Sequence, residues 1–277
     1  MKKTIMIISF SFLLAGCSEM DSLMKKVSFL KDKFNSQSES ENRYGENGQS
    51  NEGSSPRNPD GNKPVLEAVY FNQVAEANGK KVILNPENML SLVNKEFFLS
   101  SDYKPKDLMK PDIPFSFGDQ DVEKSLIREE AGLALEEMFM KAAEQNIEIF
   151  AVSGYRSYTR QKALFDAEVK KSGSAKATQL VALPGQSEHQ TGLTMDITSR
   201  STNLNLTEEF GETVEGKWLA ENAHKFGFIL RYPKGKESIT GYQYEPWHFR
   251  YVGREAAKTI YENDWTLEEF FNEVEKI

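Results

Sequence analysis

Thirty consecutive residues, "NSQSESENRYGENGQSNEGSSPRNPDGNKP" from Asn35 to Pro64, constrain this chain more than any other stretch. They are rich in Ser, Asn, Glu and Gly and hold almost nothing apolar. Such a segment buries too little surface to offset the entropy of ordering it, so it reads as a flexible tether. What folds must lie downstream, in residues 65–277, and that is enough for one good-sized domain. Charged residues make up 27% and hydrophobic residues 39%, ordinary values for a globular chain. The formal net charge of −8 argues against nucleic acid as a partner, because phosphate binding needs a basic footprint. Nothing in the pattern demands more than a monomer.

Upstream of the tether, "MKK" gives a positive start and "TIMIISFSFLLAG" is an apolar run of thirteen residues. That is short for a membrane span and the right length for a signal-peptide core. It ends in "LLAGC". Leu14, Ala15, Gly16 and Cys17 resemble a bacterial lipobox, in which the cysteine is lipidated and becomes the new N-terminus. Cys17 is the single cysteine, so no intrachain disulfide forms. The expected organisation is a lipoprotein signal peptide over 1–16, a lipidated N-terminus and tether over 17–64, and the folded domain over 65–277. The lipid then holds the protein on the extracytoplasmic face of the membrane. The competing reading is a plain secretory signal that happens to contain a cysteine.

Within the domain, "NPENMLSLVNKEFFLSSDYKPKDLMKPDIPF" carries four prolines, which forbid long regular elements and predict an extended arm. "VEKSLIREEAGLALEEMFMKAAEQN" predicts a helix whose apolar face is Ile127, Ala131, Ala134, Leu135, Met138 and Ala142. "IEIFAVSGYRS", "GLTMDITS", "FILRYP" and "YEPWHFRYVG" predict strands. "YTRQKALFDAEVKKSG", "KATQLVALPG", "GKWLAENAHKFGF", "REAAKTIYEN" and "TLEEFFNEVEKI" predict helices, with Gly227 as one stop. Helices and strands mix without regular βαβ alternation, so the predicted class is α+β.

The chain has three histidines: His189, His224 and His248. His189 stands before a Thr-Gly turn, with Asp196 seven residues later on a predicted strand. A second strand carries His248, and Glu245 precedes it by three residues. Two imidazoles and a carboxylate suit catalytic zinc, which takes three protein ligands and keeps a fourth position open. A further carboxylate beside such a site suits a general base in metal-assisted hydrolysis. Spacing alone leaves the alternative of ordinary polar residues in a surface loop. His224, on a helix beside Trp218 and Phe226, reads as structural.

Three blocks, "SGYRSYTRQ", "PGQSEHQTGLTMDI" and "YEPWHFRYVG", resemble those of zinc D-alanyl-D-alanine carboxypeptidases of the vancomycin-resistance type. The L,D-carboxypeptidases that trim peptidoglycan tetrapeptides share them. The pattern S-x-H-x-x-G-x-x-x-D is matched by Ser187, His189, Gly192 and Asp196, and E-x-W-H by Glu245, Trp247 and His248. The resemblance runs over about residues 92–253. It implies a Hedgehog/D,D-peptidase-like α+β fold, with a small antiparallel sheet carrying the zinc and helices flanking it. It implies Zn2+ held by His189, Asp196 and His248, with Glu245 as general base and later proton donor. Arg156 is implied to stabilise the oxyanion, Ser187 and Gln161 to bind the peptide end, and Tyr155 and Trp247 to line the pocket. Thr194 departs from the alanine that is frequent at its position. The implied substrate is a peptidoglycan stem peptide losing its terminal D-alanine, with the D,D-activity ranked first. An L,D-carboxypeptidase and a non-catalytic peptidoglycan-binding lipoprotein remain as alternatives.

Overall fold

The computed structural model describes residues 63–77 and 79–277. The expected signal peptide, Cys17 and nearly all of the tether lie outside them. Among the described residues the first strand is β1 (Val65–Leu66). Then β2 (Val74–Ala77) and β3 (Lys80–Ile83) form a hairpin, which β4 (Phe97–Phe98) extends in parallel. Two short strands, β5 (Leu108–Met109) and β6 (Ile127–Arg128), pair antiparallel. The proline-rich arm, residues 85–115, holds only the short strands β4 and β5 and turns, as predicted.

The central sheet is formed by β7 (Phe150–Ser153), β8 (Thr194–Thr198), β9 (Phe228–Leu230) and β10 (His248–Tyr251). Its order is β7-β8-β10-β9, and every pairing is antiparallel. The last strand, β11 (Glu275–Lys276), pairs in parallel with β1, an N-to-C closure that the sequence pattern does not announce. The helices are α1 (Glu129–Glu144), α2 (Tyr158–Ser172), α3 (Ser174–Leu180), α4 (Val214–Asn222), the single turn α5 (Glu237–Thr240), α6 (Arg254–Glu262) and α7 (Leu267–Glu273). A small antiparallel sheet flanked by helices is the α+β class that the sequence predicts.

The helix expected over 122–146 begins later, at Glu129. The stretch before it is needed elsewhere. Ile127 pairs with Met109, the Arg128 amide donates to Gly192 O at 2.7 Å, and the Arg128 guanidinium meets Asp107 at 3.0 Å. Once started, α1 keeps Glu129 and Glu130 in its first turn and Lys141 in its last, which complements the helix dipole. Gly132 sits where β5 crosses: a Cβ there would lie 3.0 Å from Met109 Sδ and 3.2 Å from Ile127 Cγ2.

The face of α1 predicted to be apolar is buried. Ala131, Leu135, Met138 and Ala142 are all fully inaccessible and pack with Met195, Ile197 and Phe249 of the sheet in the main core. A second cluster gathers Leu90, Leu92, Ile229, Val252, Leu267 and Phe270 under the two C-terminal helices. Thr266 caps α7 through a reciprocal box with Glu269, which fixes the start of that helix. The sheet thus has one face on the core, and its other face and ends are left to carry chemistry.

Leu135→Ala removes a fully buried side chain from the main core. It is expected to lower the unfolding free energy by about 2–5 kcal/mol. The urea midpoint reads this, and the denaturant slope should stay unchanged.

Candidate metal centre

Strand register brings the three predicted ligands together. Asp196 of β8 lies directly opposite His248 of β10 and, across a register shift between Ala151 and Ser153, beside Ser153 of β7. His189 arrives from a 3-10 turn, Glu188–Thr191, which Gly192 ends in the left-handed region at φ 66°. A side chain at Gly192 would also press on Leu108, with a Cβ only 2.9 Å from Cδ2. This glycine therefore turns the chain from the ligand-bearing loop into β8. One donor atom from each of His189, Asp196 and His248 lies within 4.8 Å of the other two, and all three residues are buried.

The donor set fits zinc. His189 Nδ1 donates to Gly154 O at 2.7 Å, which leaves Nε2 as the free donor, 3.4 Å from Asp196 Oδ2. His248 is turned the other way: Nδ1 faces Asp196 Oδ1 at 2.9 Å, and Nε2 faces Glu188 Oε2 at 3.4 Å. Each inward-facing nitrogen is thus backed by an outer nitrogen with its own acceptor, the arrangement that orients metal-binding histidines. The rings stand edge to face, 87° apart. Two imidazole nitrogens and a carboxylate match the three-ligand sets of catalytic zinc. Thr194, the departure from the usual alanine, adds a hydroxyl 3.2 Å from His189 Nδ1.

Charge in the site is set by burial and by near neighbours. Burial opposes a charge on His248, yet its hydrogen bonds to Asp196 and Glu188 outweigh this and raise its pKa to about 9. Burial and the nearby Arg156 cation push His189 down. Burial would raise Asp196, but His189 and His248 hold its carboxyl well below the usual range. Glu245, whose side chain approaches His248 Nδ1 at 3.9 Å, is raised by burial to about 7, with Asp196 adding and His248 and Arg156 opposing. A carboxyl titrating near neutrality in a cleft marks an acid–base candidate.

Arg156 stands by the same site, its amide bonded to His189 O at 3.1 Å. Its guanidinium is held by neutral groups, Gln161 Oε1 at 2.9 Å and Ser153 Oγ at 3.2 Å. Gln161 is buried and also donates to Ala182 O at 2.7 Å, so its amide braces Arg156 from α2. Ser187 and Tyr155 are buried beside the ligand loop and Arg156 respectively. Trp247 packs against the main core, and its carbonyl accepts from the Ile197 amide at 2.9 Å. His224 stacks on Tyr261 with centroids 3.7 Å apart and takes no part in the triad.

Sequence reading missed the charges behind the ligands. Glu188, directly before His189, is 1% exposed. Its Oε1 accepts from Arg231 at 2.8 Å and from Arg250 at 2.9 Å, and its Oε2 meets His248. Arg231 also forms a fork with Glu268 of α7, at 2.8 and 2.6 Å. Arg250 donates to Met89 O and Ser91 O, which gives the stretch before β4 a place in the site's support. Burial favours the neutral form of Glu188, but Arg231 and Arg250 hold its carboxyl well below the usual carboxylate range. A signal was present in the sequence: "FILRYP" and "WHFRYV" each set an arginine inside an apolar strand, where a charge survives only with a partner.

Comparison with known proteins matches this architecture. The model of the VanY family, D-alanyl-D-alanine carboxypeptidase, matches residues 124–254. The putative carboxypeptidase YodJ of Bacillus subtilis (strain 168) is 56% identical over 212 residues, 76% of this chain and 77% of that protein. The structure of the LdcB LD-carboxypeptidase aligns at TM-score 0.75 and 55% identity, covering 77% of this chain and 99% of that one. A vancomycin-resistance D,D-pentapeptidase VanY in complex with Zn(II) aligns at TM-score 0.54 and 36% identity, covering 66% of this chain and 99% of that one.

Glu188 and Asp196 both have folded pKa values below their unfolded ones, near ~4. Their contribution to stability is complete above that value and is lost as the pH falls through it towards the folded pKa. The lowered pKa of His189 acts in the same sense below about 6.5. Glu245, raised to about 7, works in the opposite sense until the unfolded chain also protonates near ~4.3, so the urea midpoint of the metal-free protein is expected to drop as the pH falls below that value. An unchanged midpoint would contradict the charge assignment.

Proposed function

This chain belongs to the VanY family of D-alanyl-D-alanine carboxypeptidases, and from that premise we propose that it removes the terminal D-alanine from peptidoglycan tetrapeptide stems as a zinc-dependent L,D-carboxypeptidase. The coarser statement, a VanY-like peptidoglycan carboxypeptidase, stands on the family match and the relatives. The tetrapeptide reading is carried by the likeness to LdcB, an LD-carboxypeptidase matched at 55% identity along 99% of its length. The second reading is removal of D-alanine from the pentapeptide, ranked first on the motifs alone. The D,D-pentapeptidase likeness, at 36% identity, favours it. A binding protein without turnover has no use for a carboxylate beside the ligands, so Glu245 speaks against that alternative.

In this reading His189 Nε2, Asp196 and His248 Nδ1 hold the metal. Zinc bound there supplies Lewis acidity, which polarises a carbonyl and makes a nearby water more acidic. Glu245 takes a proton from the attacking water as the new carbon–oxygen bond forms, and delivers it to the D-alanine nitrogen as the carbon–nitrogen bond breaks. Its carboxyl, raised to about 7 by burial, suits proton transfer in both directions near neutral pH. Arg156, braced by the neutral side chains of Gln161 and Ser153, offers its charge to the oxyanion. Ser187 and Tyr155 shape the peptide end of the cleft, and Trp247 forms one wall. Upstream of the described residues, we propose that Cys17 carries the lipid and that the tether gives the domain its reach over the wall from the extracytoplasmic membrane face.

The deciding experiment incubates the zinc-loaded protein separately with the tetrapeptide ending in one D-alanine and with the pentapeptide ending in D-Ala-D-Ala, and reads the products by mass. Alanine loss from the tetrapeptide supports the L,D reading, and loss from the pentapeptide alone replaces it with the D,D reading. Glu245→Ala is expected to lower kcat by about 10²–10⁴-fold while zinc content holds. Turnover surviving in that variant would remove Glu245 from the mechanism. Cys17→Ser should move the protein from the membrane fraction to the soluble one, and continued membrane retention would sink the lipid anchor.

A further inference from the structure

We propose that Glu188 is a positioning residue for the metal centre, holding His248 in the orientation and tautomer that present Nδ1 to the metal. The inference rests on zinc occupying the His189–Asp196–His248 triad. Glu188 sits next to His189 in the chain, yet its carboxylate turns to the other histidine, with Oε2 3.4 Å from His248 Nε2. Oε1 takes both arginines, from Arg231 Nε and Arg250 Nη1. The carboxylate is therefore held on one side by two cations, and its free oxygen is aimed at a ligand. A proton on Nε2 has this acceptor, so Nδ1, on the side facing Asp196, is the nitrogen that would give up its proton and present a lone pair to a bound metal. Tyr232, tilted 31° to the His248 ring with centroids 4.9 Å apart, closes one face of the imidazole.

Stability alone is a poor reason for this cluster. Glu188, Arg231 and Arg250 have side chains without any solvent exposure, and Glu268 retains 11%. Buried ion pairs of this kind return little net stability, and apolar residues of the same volume often do as well or better. What apolar residues cannot supply is an anionic acceptor at a fixed point behind a metal ligand. The supports of the carboxylate reach widely. Arg231 is tied to α7 through Glu268, and Arg250 to the backbone at Met89 and Ser91. Two parts of the chain outside the three motif blocks thereby fix where His248 points.

The test uses the full chain and compares wild type, Glu188→Gln, and the charge-balanced double variant Glu188→Gln with Arg250→Met. Leu135→Ala serves as a control for lost stability. Zinc affinity is measured by competition with a chromophoric chelator, ligand geometry by the visible spectrum of the cobalt(II) form, and kcat and KM with the peptide that wild type cleaves. Removing an outer acceptor of a metal-bound histidine typically weakens metal binding or activity 10–100-fold. The expected result is a zinc affinity about 10–100-fold weaker in a cooperatively folded Glu188 variant. Its cobalt bands shift and kcat falls with KM little changed, while Leu135→Ala loses stability and keeps its zinc affinity. A folded Glu188 variant with wild-type zinc affinity and an unchanged cobalt spectrum would overturn the proposal. So would failure of both Glu188 variants to fold while Leu135→Ala folds, because Glu188 would then serve the fold and not the ligand. Wild type that binds no zinc would instead remove the zinc reading on which the proposal rests.

Discussion

The carboxylate of Glu188, enclosed between Arg231, Arg250 and His248, is the interaction on which the site depends. An unpaired charge at this depth would cost several kcal/mol, so the three elements that bring its partners must all be in place. The first is the loop before β8, which carries Glu188 itself. The second is the pair of neighbouring strands, with Arg231 just past β9 and Arg250 within β10. The third is α7, whose Glu268 neutralises the far side of Arg231. The second hydrophobic cluster, with Ile229, Leu267 and Phe270, packs these same elements against one another. Apolar burial and ionic closure therefore support the same junction.

In front of that junction, the geometry follows from strand register. Placing Asp196 opposite His248 makes the pair adjacent on one face of the sheet, and a slip of either strand by one residue would put them on opposite faces. The register shift in β7 sets Ser153 beside Asp196, and Ser153 Oγ is one of the two groups that hold Arg156. The same β7 edge continues into Gly154, whose carbonyl fixes the tautomer of His189. One irregularity in one strand thus serves both the ligand side and the cationic side of the cleft.

The electrostatic pattern separates the roles of four acidic groups. Glu188 and Asp196 are held ionised by cations or imidazoles in contact with them. Glu268 is committed to the Arg231 fork. Glu245 has no such partner at hydrogen-bond distance, keeps 28% of its side-chain exposure, and has its pKa raised by burial. A carboxylate that is neither saturated nor fully buried is the one free to exchange a proton with a substrate or water. The relatives agree in class: YodJ is a putative carboxypeptidase, LdcB is an LD-carboxypeptidase, and the similar VanY structure holds Zn(II).

The sequence by itself determined the mixed α+β class, the apolar face of α1 and which residues gather at the site: His189, Asp196 and His248, with Glu245 beside them. Each of these is written in local order: apolar periodicity along a helix, and short motifs whose spacing survives folding. Only the tertiary structure decided where α1 begins, because Ile127 and Arg128 are claimed by β5, Gly192 and Asp107, which lie far away in the chain. It alone also paired β11 with β1 and assigned Gln161 to bracing Arg156. The ion cluster behind His248 belongs to the same category. Its members at 188, 231, 250 and 268 share no spacing, and their meeting depends on how strands and helices pack. Local patterns report which residues are apolar or chemically able. Which charge meets which, in an interior where a single unpaired one is costly, is decided by the packing of the whole domain.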